Sequence, residues 1–219
     1  MVEPIDMNLD ELRAALAPVL PGHAAFDGWS NEALAMAAGE LGVPPERARL
    51  AFPQGQVEMI DAWFDAIDKA MLDAFPPDRI AAMKIRERIR ELILFRFEAM
   101  RPNREALRRA LAILAQPQNL AAGARLGWRA ADRIWRVAGD TATDFNHYSK
   151  RFILVGVYGS TSLVFLDDEN PDLAETRAFL NRRIDDVMRF EKFKASWRGT
   201  RERLPSLSRF LGRLRYPSV

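Results

Sequence analysis

LAMAAGELGVPPERARLAFPQGQVEMIDAWF, Leu34 to Phe64, is the stretch whose reading decides the fold. Small and apolar residues run to Gly42, Val43 follows, a short segment spans Pro45 to Ala51, and Phe52-Pro53 leads into a long periodic stretch from Val57. Ser30 suits the N-cap of a helix over Asn31–Leu41, because its hydroxyl takes up a backbone N–H that a helix start leaves unpaired. Gly42 can adopt the left-handed backbone that closes a helix, and Val43 plugs the space between two crossing helices. Pro44 and Pro45 can only open a helix, so Pro45 to Ala51 is a short one. The spacing predicts a helix-turn-helix.

Helical periodicity continues on both sides, with no stretch alternating apolar and polar residues as a strand would. Upstream, Leu9 to Leu20 places Leu12, Leu16, Val19 and Leu20 on one face, stopped by Pro21 and Gly22. Downstream, Val57 to Phe75 carries an apolar stripe of Met59, Ile60, Trp63, Phe64, Ile67 and Met71, with Asp61, Asp65 and Asp68 read as its solvent face. Asp78 caps a helix over Ile80 to Met100, apolar at Ile85, Ile89, Leu92, Ile93 and Phe97; its charge run MKIRERIRE reads as a solvated face. Helices over Asn103–Leu114, Asn119–Ala138, Asp144–Leu166 and Leu173 to about Trp197 complete an all-α chain of about nine helices. The expected organisation is a three-helix head over 1–55, a larger helical body over 56–197 and a basic amphipathic tail over 198–219.

Composition narrows the chemistry. The chain has no cysteine and two histidines, His23 and His147, so thiolate nucleophiles and cysteine-ligated metals are excluded. Asp144 and His147 stand at i, i+3, but a di-iron bundle needs two Glu-x-x-His pairs and there is no second helical histidine for one. No nucleophile elbow, phosphate loop or dinucleotide fingerprint is visible. The expectation is a non-enzyme with no metal and no catalytic residues. The start, MVEPIDMNLDEL, is acidic and lacks the character of a secretory or transit signal, which predicts a bacterial cytoplasmic protein. Net charge is +2, yet the last 24 residues carry six arginines against Glu202 alone.

The Leu34–Phe64 segment resembles the head of TetR-type regulators without gaps. That resemblance implies a TetR-like fold and, as one reading, a ligand-responsive DNA-binding transcriptional regulator. Such a reader presents aromatic, hydroxyl and basic side chains to DNA. Here the recognition positions hold Glu46, Arg49 and Ala51, so a scaffold that has given up nucleic acid is preferred.

Seven further blocks carry a second resemblance along nearly the whole chain: AFDGWS at Ala25–Ser30, LAFPQG at Leu50–Gly55, MIDAWF at Met59–Phe64, MKIRERIR at Met83–Arg90, AGDTATDFNHYSKR at Ala138–Arg151, VYGST at Val157–Thr161, and TRAFLNRRIDDVM at Thr176–Met188. The chain resembles the ubiquinone-biosynthesis accessory proteins, the ninth coenzyme Q protein family. The resemblance implies a homodimer with a cavity for an isoprenoid lipid or quinone intermediate, and service to a di-iron hydroxylase. It implies a partner patch at Asp144, Asn146, His147, Tyr148 and Arg151; His147 stands where the eukaryotic pattern has tryptophan.

FILVGVYGSTSLVFL, Phe152 to Leu166, is uncharged but too short to span a bilayer, for which a helix needs about 20 residues. It is expected to be a buried central helix. Its glycines and small hydroxyl residues either permit close helix packing or leave room for a ligand. The family resemblance favours a cavity lined by Leu154, Val157, Tyr158, Thr161, Val164 and Phe165, with Ile93, Phe97, Leu111, Leu114 and Trp135 opposite. At the C-terminus, RLPSLSRFLGRLRY sets Leu207, Phe210, Leu211 and Leu214 at helical spacing with Arg209 and Arg213 among them. This reads as a helix lying in the membrane interface, which would hold the protein peripherally at the inner membrane. A purely structural membrane adaptor is a third reading.

Overall fold

In the computed structural model, every regular element among the described residues is helical: α1 Leu9–Leu16, α2 Leu20–Asp27, α3 Asn31–Glu40, α4 Pro45–Ala51, α5 Gln56–Ala74, α6 Pro77–Ala81, α7 Ile85–Met100, α8 Arg104–Leu114, α9 Leu120–Val137, α10 Phe145–Asp167 and α11 Ala174–Arg203. The structure describes residues 6–141 and 145–203, and the side chains within them except at 145, 146, 188 and 190–203. Two units are distinguished, Met1–Leu180 and Asn181–Val219. The second contains the later part of α11, where Arg183 pairs with Asp186 at 2.8 Å. Head and body both belong to the first.

The head forms as its sequence dictates. Asn8 caps α1 by accepting from the N–H groups of Asp10 and Glu11, while the Glu11 carboxylate accepts from the Asn8 N–H. Ser30 caps α3 through Ala33 N–H at 3.2 Å. At the other end Gly42 takes φ 66°, the Val43 N–H reaches the Ala38 carbonyl and the Gly42 N–H reaches Gly39. These two bonds satisfy carbonyls that the end of α3 would otherwise leave unpaired, and they turn the chain into α4.

Two expected helices are subdivided. Pro21 does not stop α1; it occupies the first turn of α2, where a missing N–H is harmless, so Leu20, Pro21 and Ala24 are buried there and His23, expected outside any helix, is helical. Likewise Pro77 opens a short α6, and a break at Ala82–Lys84 precedes α7, where the Glu87 carboxylate accepts from the Lys84 N–H at 3.0 Å. Within the charge run, Arg88 is not simply solvated. It donates to the carbonyls of Met83 and, across the fold, Ala138.

Trp29, in the turn between α2 and α3, joins head to body. Its indole N–H donates to the Ala106 carbonyl of α8 at 3.0 Å, and its ring lies 5.4 Å from Trp63 of α5. The body packs α5, α7, α8, α9 and α10 around Ile60, Leu92, Ile93, Phe97, Leu107, Ile134 and Phe165, all buried.

α10 departs from the buried central helix expected of it. Tyr148, Phe152 and Leu163 are 61%, 76% and 63% exposed, and Gly156 and Gly159 lie on the same outer side. The run lacks charge on both faces, so hydrophobicity alone could not distinguish its inner from its outer side.

Candidate functional site

The inner face of α10 meets α7 in an aromatic cluster. Phe97 stacks on Phe165 with ring centroids 4.8 Å apart and on Tyr158 at 5.4 Å. The Arg96 guanidinium lies over the Tyr158 ring at 5.3 Å from its centroid, and that of Arg104 over the Phe165 ring at 4.9 Å. Tyr158 and Phe165 both stack on Phe97, and each of the two has a guanidinium over its ring, a favourable arrangement for the negative ring faces. Ile93, Leu154, Val157 and Thr161 are buried around it, and Leu114 of α8 is buried as well; Leu111 and Val164 are half-buried. The Thr161 hydroxyl is spent on its own helix, donating to the Val157 carbonyl at 2.7 Å. Trp135 stands apart, near the start of α10, with its indole N–H on the Lys150 carbonyl at 3.1 Å.

A polar core adjoins this cluster, and the sequence reading missed it. Asp61, Asp65 and Asp68 form a face of α5, but that face is covered by Arg129 and Arg133 of α9. Asp61 pairs with Arg129, and Asp65 accepts from Arg133 at 2.8 Å. Asp68 and Arg96 are both 1% exposed and pair with each other; Arg96 Nε also donates to the Tyr158 hydroxyl at 3.1 Å. The second oxygen of Asp68 stands 3.4 Å from Arg133 Nε. The three aspartates are thus an interhelical ion-pair ladder rather than a solvent face, because arginines recur on α9 at the same turn spacing. Burial pushes the Asp65 carboxyl up, but Lys69, Arg133 and Arg129 outweigh it and hold it below the usual carboxylate range.

The α9–α10 corner holds the described residues of the group expected to form a partner patch. Arg151 is buried, donating to Asp132 at 2.6 Å, to Asp140 at 3.0 Å and to the His147 carbonyl. Lys150 donates to the same Asp140 at 2.6 Å. Burial raises the Asp140 pKa, and these two cations more than reverse it. Gly139 turns the chain at φ 90°, and a Cβ there would come within 3.1 Å of Arg88. On this scaffold Tyr148 is exposed, with His147 at 5.0 Å and Trp128 of α9 at 6.1 Å between ring centroids. Arg151, expected among the partner-facing residues, is instead buried beneath them. Asp144 and the Asn146 side chain lie outside the described residues, as do Leu207, Arg209, Phe210, Leu211, Arg213 and Leu214.

The head is acidic on balance. Residues 1–55 hold eight acidic side chains and three arginines. Arg47 is drawn back onto the Met7 carbonyl, and Arg13 donates to Ala51 and pairs with Glu58 at 2.8 Å. The exposed side of α4 offers Glu46, Arg49 and Leu50. Among the described residues, no group of His, Cys, Asp and Glu could hold a metal ion, and no helix is long and apolar enough to cross a membrane.

Comparison with known proteins places this architecture. A family model described as COQ9 matches residues 120–191, covering α9, α10 and the first part of α11. The ubiquinone biosynthesis protein COQ9, mitochondrial, of Rattus norvegicus is 33% identical over 183 residues, 81% of this chain and 57% of that protein. The Homo sapiens protein of the same name is 31% identical over 184 residues, 81% of this chain and 56% of its own length. The chain spans somewhat more than half the length of these relatives. Among solved structures, the TetR transcriptional regulator from Nitrosomonas europaea ATCC 19718 superposes with a TM-score of 0.64 at 25% identity, covering 80% of this chain and 97% of that one. On a TetR-like helical framework, the chain belongs to the COQ9 family.

Proposed function

We propose that the chain is a non-catalytic accessory protein of ubiquinone biosynthesis, which holds an isoprenoid or quinone intermediate within α7–α10 and presents it to a hydroxylase at a membrane surface. The observation that carries this reading is the kinship to proteins named for ubiquinone biosynthesis, at 33% identity over 183 residues. The body offers chemistry suited to such cargo. Apolar walls from α7, α8 and α10 surround a few polar groups, and a prenylated ring needs both.

Tyr148, His147 and Trp128 would meet the hydroxylase, since exposed aromatics on a rigid support make strong interface anchors. The uncharged outer face of α10 suits a second copy: Gly156 and Gly159 would let a partner helix approach closely, with Phe152 and Leu163 as flanking contacts. The arginine-rich segment at 198–219 would supply attachment to the inner membrane from the bacterial cytoplasm. DNA regulation is disfavoured, because the recognition helix presents Glu46 and the head bears a net negative charge.

Organic extraction of the purified protein followed by mass spectrometry should recover a quinone or other isoprenoid lipid in stoichiometric amount. Protein that is empty, and that stays empty after incubation with quinone-containing vesicles, would sink the cargo reading. Removing residues 198–219 should abolish flotation with vesicles containing anionic lipid.

A further inference from the structure

We propose that the α2–α3–α4 face of the head docks a cationic amphipathic helix of a partner protein. This role lies beyond the cargo and hydroxylase functions, both of which are assigned to the body.

Three of the most exposed large apolar side chains in the first unit lie on consecutive head elements: Phe26 on α2 at 82%, Met36 on α3 at 57% and Leu50 on α4 at 64%. Isolated exposed apolar residues are ordinary on protein surfaces. These, however, are interleaved with acids. On α3, Glu32, Met36 and Glu40 follow one another at i, i+4 and i+8, all exposed, so a methionine stands between two carboxylates along one line. On α2, Asp27 is exposed beside Phe26. His23 of α2 and Glu40 of α3 are bonded at 2.8 Å, which brings these flanks of the two helices together. On α4, exposed Glu46 precedes Leu50 by one turn.

The cations that could offset this field are largely engaged elsewhere: Arg109 of α8, whose guanidinium reaches within 3.7 Å of where a Cβ of Gly28 would stand, pairs with Glu105 at 3.1 Å. Arg13 is committed to Ala51 and Glu58, and Arg47 to the Met7 carbonyl. Arg49 remains exposed, near Glu32. An acidic surface with apolar anchors repels nucleic acid and anionic lipid. It complements a helix with leucine-like residues on one side and lysine or arginine around them, the pattern by which amphipathic helices dock in grooves. Phe26 and Met36 would provide the buried contacts, and the glutamates and Asp27 the rim that selects for positive charge.

The test uses the full chain and a fluorescein-labelled helical peptide of leucine and lysine, with binding followed by fluorescence anisotropy. Glu32→Lys with Glu40→Lys should weaken binding by about tenfold or more, and Phe26→Ser with Met36→Ser by at least about fivefold. Glu169→Lys with Glu175→Lys makes the same charge change at exposed positions near the start of α11 and should alter binding less than about twofold. Circular dichroism and urea midpoints check that each variant is folded. Equal losses in the head and control pairs would overturn the proposal, as the peptide would then be following net charge. Unchanged binding in the folded Phe26/Met36 variant would overturn it too. So would displacement of the peptide by phosphatidylglycerol vesicles in a manner that requires Phe26 and Met36, which would make this face a membrane site.

Discussion

Replacing Asp68 by asparagine keeps the side-chain shape but removes the carboxylate facing Arg96 inside the body. Both residues are 1% exposed, so water cannot replace the lost partner. Arg133 retains Asp65 and Arg129 retains Asp61, and the loss therefore falls mainly on Arg96. Breaking a buried ion pair by removing one member costs about 3–5 kcal/mol, and the remaining bond from Arg96 to Tyr158 argues for the lower end. A loss of about 3 kcal/mol corresponds to a folded-to-unfolded ratio lower by roughly 150-fold. With a urea m-value of about 3 kcal/mol/M, the unfolding midpoint should fall by about 1 M. Tryptophan fluorescence can follow the transition. The double replacement Asp68→Leu with Arg96→Met leaves no buried charge of the pair and should return stability to within about 1 kcal/mol of the parent. A single variant within about 1 kcal/mol of the parent, or a double variant as unstable as the single, would refute the assignment of Asp68 as Arg96's necessary counter-charge.

Asp140 sets a pH dependence. Its folded pKa lies below the unfolded value, so the stability it contributes is present above the unfolded pKa, near 4, and is lost as pH falls through the depressed folded value. Asp140→Asn should therefore flatten the decline of thermal midpoint with acidification below about pH 5; a parallel decline in variant and parent would count against the Lys150–Asp140–Arg151 cluster as its source. Trp29→Phe should lower stability by about 1–2 kcal/mol, since it removes the indole's bond to the Ala106 carbonyl, an oxygen that α8 already pairs, and thins the packing on Trp63; a change under about 0.5 kcal/mol in urea unfolding would contradict that role.

Much of the architecture was legible from local signals. Gly42 and Val43 fixed the turn of the helix-turn-helix, Ser30 its start, and Pro45 the opening of α4, because each acts through backbone geometry within a few residues. Pro21 was ambiguous for the same reason: a proline ends one helix and opens another, and the sequence does not say which neighbour continues. The polar core had a signal that helical spacing alone could have exposed. Asp68 falls within the apolar stripe of Phe64, Ile67 and Met71, and Arg96 falls between Ile93 and Met100, so opposite charges occupy core positions on two helices. The outer side of α10 had no such signal, since an uncharged helix gives periodicity nothing to register. Arg151 looked like a surface residue because its partners, Asp132 and Asp140, converge on it only through the α9–α10 corner.

Trp29 limits how the body and the helix-turn-helix can communicate. A repressor reports occupancy of its body by letting the reading head pivot, a rigid-body motion about a compliant joint. Here the joint is braced: the indole is bonded to α8, and its ring packs on Trp63 of α5. A swing would break the indole's bond and part its ring from Trp63 before making any new contact, which resists rotation of the head against the body. A change within the α7–α10 interior would then be felt less through head rotation than through the stiffness of the helices beneath Tyr148.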